Sequence, residues 1–180
     1  MQRARNSLLF LIFVSVNALA QPQIINFREL QQFLPQADYE VYKRARPTGE
    51  TSSMMGFSSS WAQVNYIYTT DSSVSSISVK ITDMLNLPSY MSISPTISGD
   101  MDRETETGYE RTTMHKDTKV LESYDTVAHQ GKLQFLVARR FLVEITGMFI
   151  SNTKPLYALF DMIDLDGLRK IVSENNMQNK

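Results

Sequence analysis

From Trp61 onward apolar residues recur at every second position, and that period of two commits most of the chain to a half-buried β-sheet. In Trp61-Ala62-Gln63-Val64-Asn65-Tyr66-Ile67-Tyr68, the side chains of Ala62, Val64, Tyr66 and Tyr68 share one face. The turn-forming Thr70-Asp71-Ser72-Ser73 leads into residues 74–81, where Ile77, Val79 and Ile81 point inward and Ser76, Ser78 and Lys80 outward. The two runs predict an antiparallel hairpin with one wet face. Residues 108–114, 119–124, 132–138 and 140–146 continue as a four-strand meander, with turns at 115–118, 125–131 and near Arg139-Arg140. Its last hairpin is the best defined: Leu133, Phe135 and Val137 stand opposite Phe141, Val143 and Ile145, and Gly147 closes it.

Helical signals flank this block. Asn26 caps a helix with Glu29 three residues on, Ile25 staples onto Leu30, and Phe27, Leu30, Phe33 and Leu34 form its apolar face. Pro35 ends it by restricting the residue before it. Residues 37–53, punctuated by Pro47 and Gly49, read as a connection. Near the other end Pro155 opens a second helix carrying Leu156, Leu159, Phe160 and Ile163. A short last turn, 164–172, is capped by Asp164 and buries Leu165, Leu168 and Ile171; a polar tail, 173–180, is expected to fray. The predicted fold is one α+β domain over 21–172: an antiparallel sheet of about six strands flanked by an N-terminal and a C-terminal helix.

The first twenty residues stand apart. Arg3 and Arg5 precede the uncharged stretch 8–16, and Asn17-Ala18-Leu19-Ala20 offers small residues at −3 and −1 of a cut after Ala20. That is the layout of a cleavable signal peptide. As a helix the apolar stretch would rise about 14 Å, roughly half of the ~30 Å hydrocarbon core, so it is too short for an anchor. The expected location is therefore periplasmic or secreted. Cysteine is absent, which excludes a lipoprotein anchor and every disulfide, so the core alone must hold the exported chain. The lack of an N-x-S/T acceptor fits a bacterial envelope. A formal net charge of −1, more negative once the leader is removed, gives no general pull toward nucleic acid or anionic lipid.

Candidates for chemistry are few. His115 and His129 both fall in turns and belong to no H-E-x-x-H pair. Ser151-Asn152-Thr153-Lys154 matches S-x-x-K without the partner motifs of a serine acylase. Asp100, Asp102, Glu104 and Glu106 alternate, so in an extended segment their carboxylates project together and mark a candidate calcium site, the one cofactor considered. Methionines suit an adaptable apolar groove, and Met84, Tyr90 and Met91 are the candidate contacts there, with Arg139 and Arg140 as anion-recognising neighbours. A carboxylate-dependent hydrolase using Asp83 with Glu110, Glu122 or Glu144 is the enzymatic alternative, and a calcium-stabilised surface protein the third.

Two stretches together resemble exported bacterial proteins of unknown function. These are Trp61 through Asp83, and Gly108-Tyr109-Glu110 through Arg140-Phe141-Leu142-Val143-Glu144-Ile145-Thr146-Gly147, followed by the close Ile163-Asp164-Leu165 with Leu168. The layout is similar to the Mog1/PsbP-like fold, an antiparallel sheet flanked by helices in periplasmic and photosystem accessory proteins. That resemblance implies no catalytic residue and assigns no activity. The expected function is a non-enzymatic envelope protein that binds a partner protein or a small apolar ligand.

Overall fold

The computed structural model describes residues 23–54, 57–71, 73–85 and 99–177. Residues 1–20, expected to be a signal peptide, and the candidates Tyr90 and Met91 lie outside these residues. Nine strands form one antiparallel sheet: β1 (Lys43–Arg44), β2 (Thr48–Met54), β3 (Phe57–Thr69), β4 (Val74–Asp83), β5 (Asp102–Thr105), β6 (Gly108–His115), β7 (Thr118–Asp125), β8 (Gln130–Val137) and β9 (Phe141–Met148). Their spatial order is β1-β3-β4-β9-β8-β7-β6-β5, with β2 beside β1 on the outer edge of β3. The expected hairpins form: Val64 faces Val79, and Leu133, Phe135 and Val137 face Ile145, Val143 and Phe141 as the sequence predicts.

The sheet is broader than the six strands read from sequence. Residues 37–53 supply β1 and β2, and Asp102–Thr105 forms the edge strand β5 rather than a loop. Apolar alternation is what signals a strand, and these three have little to bury. β2 reads Thr-Gly-Glu-Thr-Ser-Ser-Met and pairs through its backbone, with Thr51, Ser52 and Ser53 hydroxyls 2.7–3.1 Å from Ser60, Ser59 and Ser58.

One face of the sheet is the core. Ala62, Val64, Tyr66, Ile77, Val79, Ile81, Val120, Leu133, Phe135, Phe141, Val143 and Ile145 are all solvent-inaccessible. Over them, among the described residues, lie three short helices, α1 (Phe27–Leu30), α2 (Lys154–Phe160) and α3 (Leu165–Met177), rather than one at each end of the sheet as expected. α1 is a single turn continued by a 3-10 turn over Gln31–Phe33; Asn26 caps it by accepting from the Arg28 N–H, and Leu30 and Leu34 are buried. Asp164 accepts from the Gly167 N–H at 2.9 Å at the start of α3, and that helix continues past Val172 to Met177. No helix among the described residues is long and apolar enough to cross a membrane.

No helix of the described residues lies on the opposite face of the sheet, and its side chains are mostly polar: Gln63, Asn65, Ser78, Lys80, Gln130, Lys132, Gln134, Glu144 and Thr146. The strands thus end in two unlike rims. At one, β4 finishes beside the β8–β9 turn; at the other lie the β3–β4, β5–β6 and β7–β8 turns and the exit of β9.

Close approach at Gly147 seats the second helix. A Cβ there would stand 2.5 Å from Ile150 Cδ1 and 2.9 Å from Leu156 Cδ2. Gly147→Val should therefore displace α2 and lower stability by about 1–3 kcal/mol through overpacking, measured by urea unfolding.

Candidate functional site

Two buried ionic clusters and one exposed apolar rim are the places where this fold concentrates chemistry. The first cluster lies where β4 ends. The alternation that sends Ile77, Val79 and Ile81 into the core sends Asp83 there too, and Asp83 is fully buried. Its carboxylate accepts from Arg140 Nε at 3.0 Å and from an Arg140 terminal nitrogen at 2.7 Å. The backbone N–H groups of Ile25 (2.9 Å) and Leu85 (3.1 Å) take its remaining lone pairs. Arg140 is itself buried and donates to the Gln23 carbonyl at 2.7 Å. A buried carboxylate needs this degree of saturation, because an unpaired charge in the interior is strongly unfavourable.

The second cluster lies between β7 and α2. Glu122 faces inward between Val120 and Tyr124 and is 2 % exposed. Four side chains donate to it: Tyr109 at 2.6 Å, Thr153 at 2.7 Å, Tyr157 at 3.1 Å and Arg111 at 3.2 Å. Thr153 stands at the α2 N-cap, yet its hydroxyl goes to Glu122 rather than to the helix backbone. Burial pushes the Glu122 carboxyl up, but hydrogen bonds from Thr153, Tyr109 and Arg111 and the guanidinium charge outweigh it and hold it below the ordinary carboxylate value. Burial, then the Glu122 charge, drives the Tyr157 phenol well above its ordinary value.

Further along the same face, His115 Nε2 lies 2.8 Å from Asp161 Oδ1, with its ring packed on Tyr157 and edge-on to Phe160. Lys116 reaches the same carboxylate at 2.9 Å. His115 is thus joined to the end of α2.

The structure distributes the residues singled out from sequence rather than gathering them. Met84 is buried at the Asp83 clamp, with its N–H on the Arg140 carbonyl. Arg140 is held inside that clamp, while Arg139 is exposed in the β8–β9 turn in a left-handed conformation. Asp100 pairs with Lys119 at 2.8 Å; Asp102, Glu104 and Glu106 are exposed on and beside β5. No group of three or more His, Asp and Glu side chains placed to hold a metal occurs among the described residues. Of the four carboxylates weighed for hydrolysis, Asp83 and Glu122 face the core, whereas Glu110 and Glu144 face the opposite side, the sheet lying between.

Sequence reasoning did not single out the rim where the β3–β4, β5–β6 and β7–β8 turns meet the exit of β9. Eight large apolar side chains are exposed among the described residues: Val41, Met54, Ile67, Val74, Met114, Val127, Met148 and Phe149. All but Met54 and Met114 lie at this rim. The register places them there: Lys43 pairs with Ile67, Thr69 with Val74, Ser76 with both Ile67 and Met148, and Gln130 with both Met148 and Asp125. Val41, Val74 and Val127 sit singly in turns or at a strand end, while Ile67 and Met148-Phe149 run on from core strands, so no linear pattern sets them apart.

Removing one member of the Asp83–Arg140 pair leaves the other charge buried. Asp83→Leu and Arg140→Met should each cost about 3–5 kcal/mol in urea unfolding, and the double variant should recover much of that loss. For Glu122 the folded-state value lies below the ordinary 4.5, so its contribution is complete above that pH and is lost as pH falls through the depressed value. Glu122→Gln should flatten the acid-side slope in unfolding free energy measured from about pH 7 to about pH 3, leaving the part due to Asp161, Asp38 and Asp100, whose carboxyls their cationic neighbours also hold low. No protein-family model, no curated protein and no solved structure matches this chain.

Proposed function

We propose that this chain is an exported, non-enzymatic envelope protein that works by binding a partner protein. The observation that carries the reading is the concentration of exposed apolar side chains at one rim of the sheet. Scattered apolar residues are normal on any surface, whereas Ile67 and Met148, both beside Ser76, form an exposed apolar grouping on one sheet face of the kind that marks an interaction site. The buried ionisable groups support the same reading from the other side. Asp83 and Glu122 are saturated by donors from the protein itself, and each ties separate elements together.

Phe149 adds weight. It is 63 % exposed and has φ 56°, a left-handed conformation that a bulky residue rarely adopts. The residue after it fixes that geometry. Ile150 is buried, its N–H bonds the His129 carbonyl at 3.0 Å, and its carbonyl accepts from Tyr124 at 2.9 Å. A glycine would serve the backbone better, so the ring is held out at a cost in stability.

Export to a periplasmic or secreted location and the Mog1/PsbP-like relationship belong to this proposal and rest on the sequence. The test separates binding from folding. Phe149→Gly should raise unfolding stability by about 1 kcal/mol by relieving the left-handed Phe. Combined with Val127→Ser and Met148→Ser, it should strip a stoichiometric partner that the wild-type chain retains when both are purified from the native host. Identical recoveries from the two chains, or none from either, would overturn the reading.

A further inference from the structure

On β7 the alternation is broken by burial on both faces. Val120 and Glu122 point into the core, so Leu121 between them points the other way. It lies outside the apolar core cluster, yet it is only 6 % exposed. Ser123, the next outward position on the same strand, is half-buried. The cross-strand partners of Leu121 are Thr112 and Gln134, neither large enough to close over a leucine. Met101 is two strands away, beyond Thr112. Diagonal to Leu121 on β8 stands Leu136, paired with Leu142 on β9, and both are half-buried. These three leucines form an apolar patch on an otherwise polar face, and its centre is shielded from water within a single chain. The cover is therefore part of this chain, not a partner or a second copy.

The two ends of residues 86–98 border that patch. Upstream, the Met84 N–H bonds the Arg140 carbonyl in the β8–β9 turn, and the Leu85 N–H bonds Asp83. Downstream, the Gly99 carbonyl accepts from the Thr112 hydroxyl and Asp100 pairs with Lys119 at 2.8 Å, on β6 and β7. From β4 to β7 is three strand spacings, about 14 Å. Thirteen residues can reach about 45 Å, so there is chain enough to lie over the patch as well as to cross it. The composition suits that place. Residues 86–98 contain Leu87, Tyr90, Met91, Ile93 and Ile97 and no charged side chain. Five large apolar groups gain by removal from water, and no charge has to be buried with them.

We infer that Leu121, Leu136 and Leu142 are the seat on which residues 86–98 of the same chain dock. This intramolecular surface does not depend on partner binding. It leaves the rim at the far ends of the strands as the surface open to a partner, and it commits Tyr90 and Met91 to the sheet instead of to an apolar ligand.

The chain has no cysteine, so single introduced thiols report the cover directly. In the full chain, Leu121→Cys should react with a water-soluble maleimide about tenfold or more slower than Ser123→Cys, because thiol labelling follows exposure. Replacing Leu87, Tyr90, Met91, Ile93 and Ile97 together by Ser should remove that difference while Ser123→Cys reacts as before. Unfolding midpoints confirm that each variant is folded. A second measurement needs no such replacement: Leu136→Cys combined with Tyr90→Cys, Met91→Cys or Ile93→Cys should give an intramolecular disulfide in at least one pair under mild oxidation. Equal labelling of Leu121→Cys and Ser123→Cys would overturn the seat. So would protection of Leu121→Cys that persists in the folded Ser-replaced chain, or the absence of a disulfide from all three pairs.

Discussion

The buried ion pair between Asp83 and Arg140 decides where three separate stretches of backbone lie. Asp83 closes the central strand β4, and Arg140 belongs to the turn between β8 and β9, the hairpin that pairs with it. Between them they bind the Gln23 carbonyl and the N–H groups of Ile25 and Leu85, fixing the entry to the first helix and the exit from β4. Two charges taken out of water gain little net stability against apolar residues of the same shape. Their value lies in direction. A carboxylate with four donors accepts only one arrangement of those donors, so α1 is set on the sheet in one position.

Glu122 repeats that logic for the other helical layer. The apolar core thins from β8 toward β5, where inward positions become Tyr109, Arg111 and Thr113. With little left to bury there, α2 is positioned by polar contacts: Thr153 and Tyr157 from the helix meet Tyr109 and Arg111 from the strand on one carboxylate. Gly131 and Gly147 complement this by letting Leu156 and Ile150 approach the sheet closely. Hydrophobic burial thus holds the middle of the sheet, and directed hydrogen bonds hold the end of β4 and the flank toward β5.

The alternating apolar strands were legible because the residues that define them are also the ones that must be buried. β3, β4 and the four strands of the meander follow from Val64, Ile77, Phe135 and Val143 and their neighbours. β1, β2 and β5 were not legible, since an edge strand can be held by backbone hydrogen bonds and hydroxyl pairs that leave no apolar mark. Both clusters were written in the sequence at a second level. The period that buries Ile81 also buries Asp83, and a tight turn at Lys116-Asp117 sets Arg111 opposite Glu122. Charged strand residues usually face water, and that expectation concealed them. The apolar rim had no comparable signal, because Val41, Val74, Val127 and Phe149 reach the same end of the sheet only through separate turns.

The two rims differ in a way that backbone geometry makes specific. At the clamp end, left-handed residues are Lys116, Asp117, Ala138 and Arg139, small or solvated side chains in tight hairpin turns. At the other end the same conformation falls on Glu40, His129 and Phe149. A charged or imidazole side chain there reaches solvent at modest cost, but an exposed phenyl ring combines backbone strain with apolar surface left in water. Neither helps the fold: Ile150 would be buried and bonded equally well behind a glycine. An arrangement that costs stability twice over at one residue, next to the exposed Met148, supports the proposal of a surface covered by a partner.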